Sequence, residues 1–465
     1  MLGGLMSSVW LQQALNAEGQ SHSIQLDESQ SVDVCIVGGG FTGLWTAYEL
    51  KQRHPELDIV LIEKHICGAG ASGANAGYAV SLWIQLQLLE KVCGTEEALR
   101  LCHASEAVID EISALSNKHQ IDTQLRRTGA IWGATCEAQS GHWDSAIDLL
   151  QKHQIHHLQR LSQAEIENLT GTSSHVAGVF DKGTTLLHPG HLVRGLRRLV
   201  IALGVRIYEN TAMIRLIRSQ PPKIVTPSGT ITASKVVLGM YGWSLGISEL
   251  SPGAMVIFSD ALMSEPIPDK LSRLGGSDAP ALMDSRIFVQ AQRTTADGRI
   301  MWTKAGGALP FKDRLESHTS KPYRSIDEMR AELEKIYPTL RDIKIAGSWA
   351  GPIDRTKDGL PMFGPLSTCP DVYYGYGYSG SGIILSRLGS KILASLVSET
   401  KDEWARSGLV RAVGKAFPSE PFRYIGSRFV RAAIERKDNL DHIGRRVGPL
   451  TQFWLRFKPS SYKPS

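Results

Sequence analysis

The stretch Val32-Asp33-Val34-Cys35-Ile36-Val37-Gly38-Gly39-Gly40-Phe41-Thr42-Gly43-Leu44, continued by Asp58-Ile59-Val60-Leu61-Ile62-Glu63, decides the fold. Residues 32–37 are short, apolar and β-branched, as a buried parallel strand is. A glycine turn follows. Residues 44–53 then carry apolar side chains at 44, 45, 47, 48 and 50, the spacing of a helix, and His54-Pro55 ends it. Residues 58–62 read as a second strand, and Glu63 stands 20 residues beyond Gly43. Strand, Gly38-x-Gly40-x-x-Gly43, helix, strand and acid in that order form a dinucleotide-binding unit. Gly38 permits the tight turn, Gly40 admits the diphosphate, and Gly43 lets the helix lie close on the strand. The diphosphate sits where the helix N-terminus offers unpaired N–H groups. Glu63 suits ribose hydroxyls and repels a 2′-phosphate, which disfavours NADP.

The fingerprint alone does not separate FAD from NAD. Residues 67–77 follow the ribose acid directly, and eight of these eleven are Gly or Ala. Such a loop brings backbone amides close to an extended ligand, as FAD requires beyond its diphosphate. A second glycine run, Gly375-Tyr376-Gly377-Tyr378-Ser379-Gly380-Ser381-Gly382, opens a helix expected over residues 383–399. A helix N-terminus beside the flavin pyrimidine edge favours the negative charge of the reduced ring.

Working outward, residues 1–31 read as a short helix and polar lead-in. Residues 84–170 look mostly helical, with a strand-like patch at 129–134. A helix starts at Leu187-His188-Pro189-Gly190, with Pro in its first turn. Strands are expected at 205–208, 213–217 and 236–240, a hairpin at 223–232, and a helix at 326–337 capped by Ser325 with Glu328. The expected fold is α/β (α+β, two-domain). A Rossmann-like FAD-binding domain is assembled from discontinuous segments, 32–80, 187–248 and 346–400. An antiparallel-sheet substrate domain comes from 81–186 and 249–345, and 401–465 is a basic C-terminal tail.

Composition agrees with an ordinary globular chain. Of 465 residues, 42% are apolar and 21% charged, and the length gives a soft expectation of about three domain-sized units. The net charge of +5 does not point to nucleic acid. From Arg406 onward, 13 Lys and Arg face 4 Asp and Glu, a surplus of +9 that leaves −4 for the preceding 405 residues. A basic tail fits anionic lipid or RNA; a solvated helix face with the tail packed on the body is the simpler reading. Six cysteines without a CxxC read as reduced thiols. Residues 1–20 contain no Lys or Arg and are interrupted by Ser7, Gln12, Gln13 and Asn16, so no signal peptide is expected. No stretch reaches 18 apolar residues, so no transmembrane segment is expected, and the expected location is cytoplasmic. No metal site is expected: no His, Cys or Asp cluster has zinc spacing, and His153, His156 and His157 read as a polar helix face.

Six segments together, VDVCIVGGGFTGLWTAYEL, IEKHICGAGASGANAGYA, GVRIYENTAM, KVVLGMYGWS, DGLPMFGP and GYGYSGSGIILSRLGSKILA, resemble the FAD-dependent oxidoreductases of the D-amino-acid oxidase type, over residues 32–400. That group includes glycine oxidase and sarcosine oxidase. The sequence is most similar to the gamma-glutamylputrescine oxidoreductase-like branch. CGAGASG, WAGPIDRTKDGLPMFG and EPFRYIGSRFVRAAIERK resemble members proposed to oxidise aminophosphonates. The resemblance implies that Gly38, Gly40, Phe41, Thr42, Gly43, Glu63 and Lys64 hold the ADP half. It implies Gly70, Ala71, Ser72, Asn75, Ala76 and Gly77 along diphosphate and flavin, and a backbone group near Met213 at the adenine. Gly380, Ser381, Gly382 and Ile383 are implied at the pyrimidine edge. The sequence departs from the family at Ala74, where an arginine is common. It departs again at Arg355, which follows Ala350-Gly351 at a distance instead of directly. No Cys or His stands at an evident flavin attachment point, so FAD is expected to be non-covalent.

The implied chemistry is oxidation of the CH–NH bond of a small primary or secondary amine: an amino acid, a polyamine derivative or an aminophosphonate. Hydride passes to flavin N5, water hydrolyses the imine, and the flavin returns electrons to O2, giving H2O2, or to another acceptor. An anionic end on the amine calls for an arginine fork. Arg126, Arg127, Arg286, Arg293 and Arg355 are candidates, and Tyr78, Trp83, Trp349 and Tyr378 are candidate cavity walls. Arg355 and Tyr378 are the foremost substrate-positioning residues. Two alternatives stay open: a dehydrogenase feeding a partner or quinone, favoured by the basic tail, and a non-catalytic flavin-binding protein. The sequence leaves the oligomeric state open.

Overall fold

In the computed structural model, which describes residues 8–19, 23–313, 315, 321–414 and 417–458, the strand Gln30–Val37 lies at the centre of the first sheet. Ile59–Ile62 and Arg206–Tyr208 follow on one side, and Thr230–Leu238 and Cys369–Tyr376 on the other, all parallel. Met362–Leu366 closes the edge antiparallel, and the hairpin strands Arg215–Ile217 and Lys223–Val225 attach to Thr230–Leu238. Alternation splits the central strand between two cores. Val34 and Ile36 pack with the helices Phe41–Arg53, Pro189–Ala202 and Gly382–Val397. Cys35 and Val37 pack on the opposite face with Val60, Ile62 and Val236. All six cysteines are free thiols.

A second eight-stranded sheet runs in the order Ile345–Thr356, Ala254–Ser264, Ile300–Lys304, Gln290–Thr294, Ala281–Asp284, Ala130–Ala134, Ala177–Asp181, Leu158–Ser162. Its neighbours are antiparallel as expected, except that Ala281–Asp284 and Ala130–Ala134, far apart in the chain and joined by no hairpin, pair parallel. The helix Ile326–Ile336 starts with the expected Ser325/Glu328 capping box and packs Met329 and Leu333 against Leu262 and Trp302.

Several boundaries differ from the sequence expectation. Ile345–Thr356 falls mostly inside the segment 346–400, yet it belongs to the second sheet, because it pairs along its length with Ala254–Ser264. Conversely Thr95–Lys118, within 81–186, buries Leu101, Val108 and Ile112 in the helix layer of the first sheet. His153, His156 and His157 are not a helix face, since Asp144–Lys152 ends before them. His157 is buried with Nε2 2.9 Å from Asp181, and His153 lies 3.1 Å from Glu90. The lead-in holds the helix Val9–Glu18, and the tail holds Phe422–His442 and Pro449–Leu455; residues 1–7, 20–22, 415–416 and 459–465 of those segments lie outside the described residues. No described helix is long and apolar enough to cross a membrane.

Candidate active site

A cavity of about 820 Å³ opens where the parallel strands end, lined by Val37-Gly38, Ile62-Glu63 and Gly239-Met240. The carboxyl ends of parallel strands are where open α/β sheets hold ligands, because turns there present free amides. The opposite wall is the second sheet. Ile257, Ser259 and Ala261 alternate along Ala254–Ser264, and Gly351, Ile353 and Arg355 alternate along its neighbour. Pairing Ser259 with Gly351 leaves the middle of that wall shallow.

Gly38 has φ +113°, and a Cβ there would lie 2.6 Å from the Gly239 carbonyl oxygen. A Cβ on Gly43 would lie 2.0 Å from the Gly38 carbonyl oxygen, so the helix meets its strand only as glycine. The helix Phe41–Arg53 has no side-chain cap at Gly40; Phe41 N–H donates to Ser72 Oγ at 2.8 Å. Glu63 accepts from Gly39 N–H at 2.8 Å and His65 N–H at 3.0 Å, and burial pushes its carboxyl up despite these bonds. Lys64, His65 and residues 211–216, Met213 among them, line the same end.

The small-residue loop forms one helical turn, Ala71–Ala74. Asn75 Nδ2 donates to Ser72 O at 2.7 Å, and Asn75 Oδ1 accepts from Gly77 N–H at 2.8 Å. Gly70, Ala71, Ser72, Asn75 and Ala76 line the cavity. At the late glycine run, Gly380, Gly382 and Ile383 line it, where the uncapped helix Gly382–Val397 begins. Beside this turn Asp354 is fully buried. It accepts from Gly377 N–H at 2.6 Å through its side chain and from Ser379 N–H at 3.1 Å through its carbonyl. Burial pushes its carboxyl up to about 7.

Residues 33–396 match the family described as DAO, FAD dependent oxidoreductase. The chain belongs to this family. It is 27% identical over 382 residues to gamma-glutamylputrescine oxidoreductase of Escherichia coli, covering 80% of this chain and 85% of that one. It is 24% identical over 405 residues to glycine oxidase of Geobacillus kaustophilus, covering 82% and 98%. The fold is similar to the crystal structure of that glycine oxidase, with TM-score 0.65 at 20% identity over 83% of this chain and all of that one. It is also similar to L-alpha-glycerophosphate oxidase from Mycoplasma pneumoniae with FAD bound, with TM-score 0.62 at 17% identity over 79% and 95%.

The residues fit FAD, the cofactor of this DAO-family enzyme. One uninterrupted cavity joins the Glu63 and Met213 end, the Gly40 and Ser72 turns, and the Gly380–Ile383 turn. Three residues assigned to the cofactor do not line it. Gly43 is spent on the helix–strand approach. The Gly77 carbonyl is held by Arg293 at 2.9 Å. Ser381 turns away, its Oγ 3.4 Å from Gln85 Nε2.

Of the five candidate arginines, only Arg355 lines the cavity; it also donates to the Ser379 carbonyl at 3.3 Å. Arg293 is buried and binds the carbonyls of Ala76, Gly77 and Leu187, and burial pulls its guanidinium down to about 9. Arg126 holds Thr294 O, Arg127 pairs with Asp110 at the surface, and Arg286 pairs with Asp284. Tyr78 and Tyr378 line the cavity, whereas Trp83 is core and Trp349 donates Nε1 to Ala74 O at 2.8 Å. Tyr378 was expected to position substrate. Its hydroxyl lies 2.7 Å from Thr42 Oγ1, and its ring stacks on Tyr241 with centroids 5.9 Å apart. Its polar end is therefore committed to Thr42 at the start of the helix Phe41–Arg53, leaving the ring as a wall. Tyr241 and Trp243 line the cavity too, without having been among the candidates; both lie in KVVLGMYGWS just past a parallel strand end. Ile434 and Lys458 of the tail line the cavity as well; Ile434 falls within EPFRYIGSRFVRAAIERK, whereas nothing in the residues around Lys458 marks a site.

Proposed function

We propose that the protein oxidises the CH–NH bond of a small primary or secondary amine bearing an anionic group. The imine is hydrolysed by water to a carbonyl product and ammonia or a smaller amine, and O2 takes the electrons as H2O2. The observation that carries the anionic end is Arg355, the one candidate arginine on the cavity wall formed by the second sheet. Amino-nitrogen substrates also appear in the names of relatives, glycine oxidase and gamma-glutamylputrescine oxidoreductase.

Bound FAD supplies the two-electron acceptor. Residues of this chain do the rest. Glu63 and the amides of Gly40 and Thr42 would anchor the adenylate half, and Ser72, which holds Phe41 N–H, fixes the turn facing the diphosphate. The uncapped start of Gly382–Val397 points N–H groups and the positive end of its dipole at the cavity, where they would favour negative charge on a bound flavin. Ser259, Ala261 and Gly351 leave room for substrate, while Ile257 and Ile353 exclude water. Arg355 orients the anionic end. The described lining residues include no cysteine, and their one histidine, His65, adjoins Glu63 at the ribose end, which supports non-covalent FAD.

Arg355→Met tests the reading. KM for an anionic amine should rise by about 10- to 100-fold, the loss of a charge-assisted hydrogen bond, with far less change for a neutral amine of the same shape. Equal loss on both removes the anionic assignment. Hydrogen peroxide should form one-for-one with substrate consumed. Turnover that appears only with an artificial acceptor replaces oxidase by dehydrogenase.

A further inference from the structure

The C-terminal segment is docked on one side and bare on the other. Asp438 accepts from Ile287 N–H and Phe288 N–H at 3.1 and 3.2 Å. Arg431 donates to Gly307 O at 2.8 Å, and Ala433 and Ile434 are buried. The outward side is not the solvated polar face that the charge pattern suggested. Half of the fourteen large apolar side chains exposed among the described residues fall between 422 and 457, so the exposure is concentrated, not scattered. Phe422, Ile425 and Phe429 follow helical spacing along Phe422–His442. Leu450, Phe453 and Phe457 repeat that spacing on and just past Pro449–Leu455. Phe429 stacks on Trp454 at 4.9 Å and Phe453 packs on Phe457 at 5.4 Å, which joins the two stripes into one aromatic patch.

Charge accompanies the patch. Residues 421–458 contain nine Lys and Arg against three Asp and Glu. All three carboxylates are taken: Glu435 by Arg431, Asp441 by Lys437, and Asp438 by backbone amides. Among the described residues no carboxylate pairs with Arg428, Arg436, Arg445, Arg446 or Arg456. A symmetric contact between two copies would set this surplus against itself. A flat anionic surface that accepts aromatic rings at its apolar boundary satisfies both features.

We propose that the C-terminal face, Phe422 to Phe457, docks the enzyme peripherally on an anionic lipid bilayer. Vesicle flotation of the FAD-loaded full chain tests it, with phosphatidylcholine alone and with phosphatidylcholine containing phosphatidylglycerol. Expected is binding to the anionic vesicles only, weakened by salt. It should drop at least about tenfold in Arg436→Glu/Arg445→Glu/Arg446→Glu, and also in Phe453→Ser/Phe457→Ser. Both variants should keep bound flavin, which shows that they fold. Absence of binding to anionic vesicles, or binding unchanged in both variants, overturns the proposal. So does a dimer of the native chain in light scattering that Phe453→Ser/Phe457→Ser converts to monomer, since the patch is then a self-interface.

Discussion

Glu63 shows how much one side chain carries. Its oxygens hold the Gly39 and His65 amides and border the cavity, so it shapes the glycine turn, and its remaining lone pairs are those proposed for ribose. Glu63→Arg should weaken FAD binding by about 1–3 kcal/mol, a charged hydrogen bond lost, read by titrating apoprotein with FAD; unchanged affinity would remove Glu63 as the ribose ligand. Asp354 gives a pH signature. Its folded carboxyl titrates near 7 against 3.8 as a free group, so between those values the folded state holds a proton that the unfolded state lacks. The stability this group lends is full below about 4 and declines as pH rises to about 7. Asp354→Asn keeps an acceptor for Gly377 N–H without that titration. Relative to the native protein, the variant should gain on the order of 2 kcal/mol between pH 5 and pH 8, measured by urea unfolding at both values. A pH-independent difference would mean that Asp354 is ionised throughout.

At the scale of elements, local chemistry and tertiary pairing divide what the sequence discloses. The strand at Val32, the turn at Gly38–Gly43, the Pro-started helix Pro189–Ala202 and the Ser325 cap were legible because each is written in adjacent residues. The place of Ile345–Thr356 was not, because its partner is set by cross-strand register with Ala254–Ser264. Equally hidden was the buried cluster that braces the flavin loop. Glu209 accepts from Cys67 N–H at 2.8 Å and from Arg197 and Arg194 at 2.9 and 3.1 Å, and Arg194 reaches Glu18 of the lead-in helix at 2.6 Å. Burial opposes the Glu209 charge, but the Cys67 amide and the two arginines outweigh it and hold the carboxyl below its usual range. Glu209→Ala removes one of the two carboxylates that the buried Arg194 and Arg197 share, leaving Glu18, and should cost about 3–5 kcal/mol of stability, with weaker FAD retention because Cys67 lies in that loop. A variant as stable as the native chain in urea would show the cluster to be incidental.

Across the whole molecule, two sheets face each other over one cavity, and a third contributor, the C-terminal segment, reaches its rim through Ile434 and Lys458. The first sheet and its glycine turns line the end proposed for the cofactor, and the second sheet supplies the wall with Arg355. The cavity-lining residues legible in the sequence are those proposed to bind the cofactor through backbone in fixed spacings. The rest of the cavity wall comes from strands whose facing depends on register and from the turn after Thr230–Leu238, which is why Arg355 was one candidate among five and Trp243 was unassigned. The reaction assigned to this arrangement is most directly tested by mixing the purified FAD-loaded protein anaerobically with α-amino acids, N-methyl amino acids, polyamine derivatives and aminophosphonates while recording the visible flavin band. The account predicts that at least one anionic amine bleaches the band stoichiometrically and that admitting oxygen restores it. A band that dithionite bleaches but no amine does would contradict the assignment.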